Sequence, residues 1–201
     1  MSNQENSEMN LPDEYHEISE TLTSANLILT HAVTNAKTLF HTLVVSSLDD
    51  KQIATRVMVL RDFNSKERFL RFHTDYRASK IDQYTRNTSA SVLGYDPKLK
   101  IQIKLQGSMS VHYNDSLTKK AWSESTTRSK KCYSVQGGSS LKISVPEEYD
   151  LKDGHIEDGY TNFAVLKFSF NTLEFLHLKS SGHRRALHKW NDGVESNWLV
   201  P

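Results

Sequence analysis

From Leu39 to the C-terminus the chain alternates runs of branched and aromatic residues with turn residues, and nothing else narrows its fold so far. Leu39–Ser46, Ile53–Arg61, Arg68–Thr74, Ser89–Tyr95 and Lys100–Tyr113 all have strand composition. Asp49 and Asp50, the stretch Asp62–Lys66, and Asp96 with Pro97 supply the reversals. Within Lys100–Tyr113, Ile101, Ile103 and Leu105 face one way, while Gln102, Lys104 and Gln106 face the other. Consecutive strands joined by tight turns form an antiparallel barrel or sandwich, not a doubly wound parallel sheet. The expected class is mostly β with flanking helices.

Residues 1–11 are polar and aperiodic and read as a mobile arm; 12–201 read as one domain. A helix is expected from Asp13 to Val33–Asn35, with Ile18, Leu22, Ala25 and Leu29 on its apolar face. Shorter helices are expected over Ala78–Asn87 and Leu117–Ser125. Ser129–Gly159, rich in Gly, Ser, Lys and Asp, reads as a long surface connection. The last strands are expected over Phe163–Lys179 with a bend at Asn171, Arg185–Trp190 and Asn197–Pro201.

Lys and Arg number 25 against 24 Asp and Glu, so no global field points to nucleic acid, and a bound anion needs a local cluster. The single cysteine, Cys132, excludes an intrachain disulfide and a multi-cysteine zinc site, and no metal site is expected. The first residues lack a secretory pattern and no stretch approaches a membrane span, so the cytoplasm is the expected address. Neither G-x-G-x-x-G nor a P-loop is present, so a nucleotide-like ligand needs another kind of site.

Four stretches carry candidate chemistry. Arg56 and Arg61 flank Val57-Met58-Val59-Leu60; strict alternation puts the two on opposite faces unless a bulge intervenes. They are either solvated strand ends or a phosphate clamp with a second charge. His73-Thr74 leads toward Ser79-Lys80 at a helix start, where amides, a hydroxyl and an ammonium suit a phosphate. Gln102 offers a donor and an acceptor to a planar heterocycle, or is simply wet. Near the C-terminus stand His183, Arg185 and the final Trp198-Leu199-Val200-Pro201, an ending that ordinarily seals a core.

Taken in order, RVMVLRDFNSKERFLRFHTDYRASK, IQIKLQGSMSV and EFLHLKSSGHRRALHKW with WLVP resemble the pyridoxamine 5′-phosphate oxidase family. The likeness covers Thr38–Pro201 and is poor over Ser116–Tyr160. It implies an antiparallel, Greek-key split β-barrel that binds FMN, working as a homodimer with the flavin between subunits. Under it Arg56 meets the phosphate, Val57, Met58, Val59 and Leu60 border the ring, and Arg61 replaces a family lysine. His73 and Thr74 stand for an aromatic-Thr pair. Ser79 and Lys80 stand for an Arg-Lys pair, so one phosphate cation is missing, with Arg77 near enough to compensate. Gln102 and Arg185 match flavin contacts, and the resemblance lets them reach the flavin from the other subunit.

The departures concern the substrate. Leu176 stands for a tryptophan, Ser181 for an arginine before His183, and Trp122 and Thr126 for a Tyr and an Arg of the substrate-phosphate pocket. A Gln-Ser pair falls near Gly138–Ser139, with Gln136 close by. The reading that follows is a flavin-dependent oxidoreductase with an altered substrate pocket, in which FMN carries the redox chemistry. His183 is the candidate proton-handling group, a structural histidine being the alternative. The rival readings are a non-catalytic FMN-storing or FMN-sensing protein and a true pyridoxamine 5′-phosphate oxidase.

Overall fold

The structure is a computed structural model that describes residues 9–149 and 156–201. Of the expected arm, 1–8 lie outside the described residues, as do 150–155 of the long connection. Met9 and Leu11, which belong to the same N-terminal stretch, pack with the core.

Among the described residues eight strands make one antiparallel sheet: β1 (Thr42–Asp49), β2 (Gln52–Asn64), β3 (Phe69–Asp75), β4 (Ser89–Asp96), β5 (Ile101–Tyr113), β6 (Phe163–His177), β7 (Arg184–Trp190) and β8 (Val194–Leu199). The lateral order β3-β2-β1-β4-β5-β6 closes on itself because β6 also pairs with β3, and β7 and β8 extend outward from β6. The early part of β6, Phe163–Ser169, lies on β3, and the later part, Thr172–His177, lies on β7. Between them Asn171 is skipped by the register with β5, where Phe170 pairs with Gly107 and Thr172 with Gln106. The expected bend is therefore a β-bulge, and it is where β6 changes partners.

Gly107 is the tight point of this crossing. A Cβ there would overlap the Ser169 carbonyl oxygen and fall 2.7 Å from the Phe170 Cα, both backbone atoms that cannot swing aside. Gly107→Ala should destabilise the protein by about 2–3 kcal/mol. Urea unfolding checks this, and an unchanged midpoint would mean that the bulge relaxes freely.

Helix α1 (Ile18–Thr34) buries Ala25, Ile28, Leu29 and Ala32 and packs against β2. It begins later than Asp13 because the Glu20 carboxylate accepts the His16 and Glu17 amides, each at 3.0 Å, and fixes the first turn there. Leu39–His41, expected as strand, is a 3-10 turn leading into β1. The barrel interior is filled by Leu43, Val45, Leu60, Phe72, Ile103 and Phe168, all fully or almost fully buried. α2 (Lys80–Arg86) connects β3 to β4; α3 (Ser116–Glu124) and α4 (Thr127–Lys131) open the long connection. Trp122 of α3 packs with Phe163 and Val165 in a second, smaller cluster.

The last strand differs from expectation. It runs Val194–Leu199, Trp198 is 42% exposed and Val200 is 88% exposed, so this end does not seal a core. No described helix is long and apolar enough to cross a membrane.

Candidate functional site

The β2–β3 register shifts between Leu60 and Asp62, which leaves Arg61 as the extra residue of a bulge. Arg56 and Arg61 line one cavity of about 560 Å³, which the strand lines with residues of both parities from Ala54 to Val59 as well. Val57, Met58 and Val59 line it from the same strand, His73 and Thr74 from β3, and Ser79 and Lys80 from the start of α2. Leu60 does not line it: its side chain is wholly buried on the core side. Gln83, Tyr133, Ser139 and Ser140 also line the cavity, and sequence reading had not named Gln83, Tyr133 or Ser140. Gln83 was findable, because it lies one helical turn beyond Ser79 and shares its face. Tyr133 and Ser140 come from the irregular connection and carry no periodic signal.

Arg56 is held in place before any ligand is considered. Its guanidinium donates to Ser47 Oγ and Gln83 Oε1, each at 2.8 Å, and to the Val45 carbonyl at 3.4 Å. Ser47 Oγ donates to the same Gln83 oxygen at 2.7 Å, and the Gln83 amide nitrogen donates to Asp49 Oδ2 at 3.1 Å. Lys80 Nζ donates to Thr74 Oγ1 at 3.3 Å. The Lys80 ammonium is held below its ordinary pKa, first by burial and then by the charge of Arg56, with Asp75 opposing. Two cations therefore crowd one end of the cavity, and no Asp or Glu is among the described residues that line it.

At the other end stand Arg61, His73 and Tyr133. The buried atoms Arg61 Nε and His73 Nε2 have no hydrogen-bond partner among the described residues. Burial, then the charges of Arg71 and Arg61, drive the His73 imidazole down to about 3, so the ring is neutral. It meets Phe163 edge-on at 4.9 Å. The Tyr133 phenol is pushed up to about 12, chiefly by burial, with Arg61 pulling the other way.

Several expected residues lie elsewhere. Gln102, on β5, pairs laterally with Tyr95 and Leu176, and Leu176 pairs with Arg185, so these share an outer face of the sheet away from the cavity. Arg185 donates to Glu174 Oε1 from Nε at 3.2 Å and from a terminal nitrogen at 2.9 Å, while Lys104 Nζ sits 3.0 Å from Glu174 Oε2. Arg185 and His183 line a smaller cavity of about 290 Å³ with Tyr15, His16 and Trp198. His183 is exposed, and its Nδ1 accepts the Lys179 amide at 3.0 Å, which closes the β6–β7 turn. Arg77, expected near enough to compensate for the missing phosphate cation, does not line the Arg56 cavity and is tied to Asp75 instead. The helix-start amides contribute less than expected, since Ala78 N donates to the Asp75 carbonyl and Ile81 N to the Ala78 carbonyl. Trp122 is core, and Thr126 caps α4 by accepting the Ser129 amide.

FMN joins a dianionic monoester to a planar ring with a polar edge, and the residues present suit both parts. Arg56, Lys80, Thr74 and Ser79 offer positive charge and donors for the monoester. The partnerless atoms of Arg61 and His73 lie beside the apolar walls of Val57 and Met58. The volume is in the range of small-ligand sites. Among the described residues no cluster of His, Cys, Asp or Glu could hold a metal ion.

Residues 24–113 match the family model described as pyridoxamine 5′-phosphate oxidase, FMN-binding domain. No curated protein sequence matches the chain. A pyridoxamine 5′-phosphate oxidase-related, FMN binding protein from Nostoc punctiforme superposes with a TM-score of 0.70 at 21% identity, covering 92% of this chain and 95% of its own. PhzG from Burkholderia lata, solved with tetrahydrophenazine-1-carboxylic acid, gives 0.69 at 17% identity, over 92% of this chain and 90% of its own. At these identities the superpositions speak for the fold. Residues 24–113 thus match the FMN-binding domain of the pyridoxamine 5′-phosphate oxidase family, in a chain with the split-barrel fold.

Proposed function

We propose that the protein is an FMN-dependent oxidoreductase of the cytoplasm, where an exposed thiol such as Cys132 stays reduced. The observation that carries the reading is the cavity on β2, in which none of the described residues lining it beside Arg56, Arg61 and Lys80 is an Asp or Glu. Arg56 and Lys80 bind the monoester, with Thr74 and Ser79 beside them. Arg61 lies on the order of 15 Å further along the strand, at the end that takes the ring. Bound FMN supplies an electron-accepting ring that takes reducing equivalents from a substrate and passes them on. The chain's own part is to bind, to orient, and to shield the ring with Val57, Met58 and Tyr133.

We further propose a homodimer with the flavin between subunits. Support comes from the outer sheet face with Gln102 and Arg185, which lies apart from the Arg56 cavity within one chain. A second chain is what can bring that face to the same flavin. The pocket departs from a pyridoxamine 5′-phosphate oxidase, since Trp122 is buried in the second cluster and Thr126 is spent on a helix cap.

The test is a visible spectrum of the purified protein before and after adding FMN, followed by mixing with nicotinamide cofactors and candidate amines. Flavin bands at one FMN per chain, bleached by a reductant and restored by oxygen, are expected. A protein that never takes up FMN overturns the reading, and one that binds FMN without cycling is a storage or sensing protein. Elution at twice the monomer mass is expected for the dimer.

A further inference from the structure

Arg77 stands just before Ser79 and Lys80 yet faces away from their cavity, and its contacts give it a different task. Its amide and Nε donate to Asp75 Oδ1 at 2.8 and 2.9 Å, and a terminal nitrogen donates to Asp75 Oδ2 at 2.6 Å. The same terminal nitrogen reaches the Val135 carbonyl at 3.2 Å, across to the long connection. Gly138 of that connection lies so close that a Cβ would fall 2.6 Å from the Arg77 Cβ and 2.9 Å from its carbonyl oxygen. Residues 133–141 thus form a strap laid on Arg77. Its first end is anchored by Asn162 Nδ2, which donates to the Tyr133 carbonyl at 2.8 Å, and by the Tyr133 ring against Phe163 at 5.0 Å. Its far end turns back through Leu141 N to the Gly138 carbonyl at 3.2 Å, with Gly137 and Ser140 in the left-handed region at φ 82° and 75°. Beyond this latch, Ser139 and Ser140 come over the cavity that Lys80 and Arg56 line.

We infer that Arg77 is a positioning residue, not a phosphate ligand: with Asp75 and Gly138 it latches the 133–141 strap over the cavity and so sets how fast the flavin leaves. This rests on FMN being the ligand of that cavity. The strap closes one wall, so a ligand that has entered can leave only when the latch opens or along the remaining mouth. Losing the latch raises the rate of leaving while the cations that attract the monoester stay in place. The effect belongs to the wall and not to the phosphate, so riboflavin, which lacks the phosphate, shares it.

The experiment compares the wild type with Arg77→Ala, Gly138→Ala and the double variant. Release of FMN and of riboflavin is followed by flavin fluorescence after dilution into a flavin scavenger. Each single variant should release both flavins about tenfold faster with little change in association, Arg77→Ala by losing a hydrogen bond from a charged group to the strap and Gly138→Ala by a Cβ that pushes the strap off Arg77. The double variant should be no faster than the faster single, since both open one latch. Unchanged release overturns the inference. So does weakening confined to FMN, which would make Arg77 a direct phosphate ligand. In flavin-free protein, amide hydrogen exchange at Tyr133, Ser134 and Leu141 should quicken in Arg77→Ala, and unchanged exchange there also sinks the latch. That arm does not depend on flavin, whereas a wild type that takes up no FMN counts against the cofactor reading and not against the latch.

Discussion

Replacing Arg56 and Lys80 together with methionine should weaken FMN binding by at least about a hundredfold, and by as much as ten-thousandfold. The range follows from two hydrogen-bonded charges on a dianion, each contributing about 1.5–3 kcal/mol. Met keeps the length of both stems, so loss of packing is small. Riboflavin is the control: without a phosphate it should lose far less, and an equal loss of both ligands would mean that the cavity had collapsed. In the flavin-free protein two effects oppose each other. Lys80 is already held below its ordinary pKa by burial and by Arg56, so removing one of the two cations relieves repulsion at that end. Arg56→Met alone forfeits bonds to Ser47 and Gln83, and the double variant carries that loss too, which thermal unfolding separates from binding. Fluorescence titration giving an unchanged FMN affinity would put the monoester somewhere else on the molecule.

Much of the barrel can be read along the chain, because each strand's composition and each turn's chemistry are local. The closure is not local. That β6 pairs with β3 on its early half and with β7 on its later half depends on lateral neighbours far apart in sequence, and no periodicity encodes it. The cavity shared by Arg56 and Arg61 is not local either: β3, the start of α2 and the 133–141 stretch build its other walls, and alternation within one strand cannot reveal it. Gln102 and Arg185 illustrate a different limit: they stand on a separate face of the chain, and one chain's sequence does not say which subunit's ligand a residue reaches. The final hairpin differs from the expected Asn197–Pro201 although the sequence carries its signal. Asp192 and Gly193 are a strong turn pair, and they start β8 at Val194 instead of Asn197. Arg77 was close in sequence to the candidate phosphate residues, but nearness along a chain does not say which way a guanidinium points.

Acid should unfold this protein well before its carboxylates alone would require, with His73 the largest single contributor. Its folded pKa is about 3, set by burial and then by Arg71 and Arg61. The unfolded chain's histidine takes a proton near 6.5, so stability is fully present above that pH and is lost as pH falls from about 6.5 toward 3. By pH 4.5 the loss from His73 should be on the order of 2–3 kcal/mol, a large share of the stability of a domain this size. His188 acts in the same direction. Burial lowers its pKa, and its ring is already engaged on both sides by Thr21 Oγ1 at 2.9 Å and Ser196 Oγ at 2.8 Å. His177 joins them, lowered by burial first and then by Lys179, Lys100 and Arg184, against Asp13. Carboxylates with lowered pKa, such as Asp115, add to the loss only nearer their own titration range. Urea unfolding at pH 7.5 and pH 4.5, for the wild type and for His73→Phe, isolates the imidazole. Phe keeps an aromatic edge on Phe163 and cannot take a proton, so the variant should lose about 2–3 kcal/mol less than the wild type between the two pH values. If both proteins lose the same amount, His73 is already charged when folded, and the cavity floor is wetter than its burial implies.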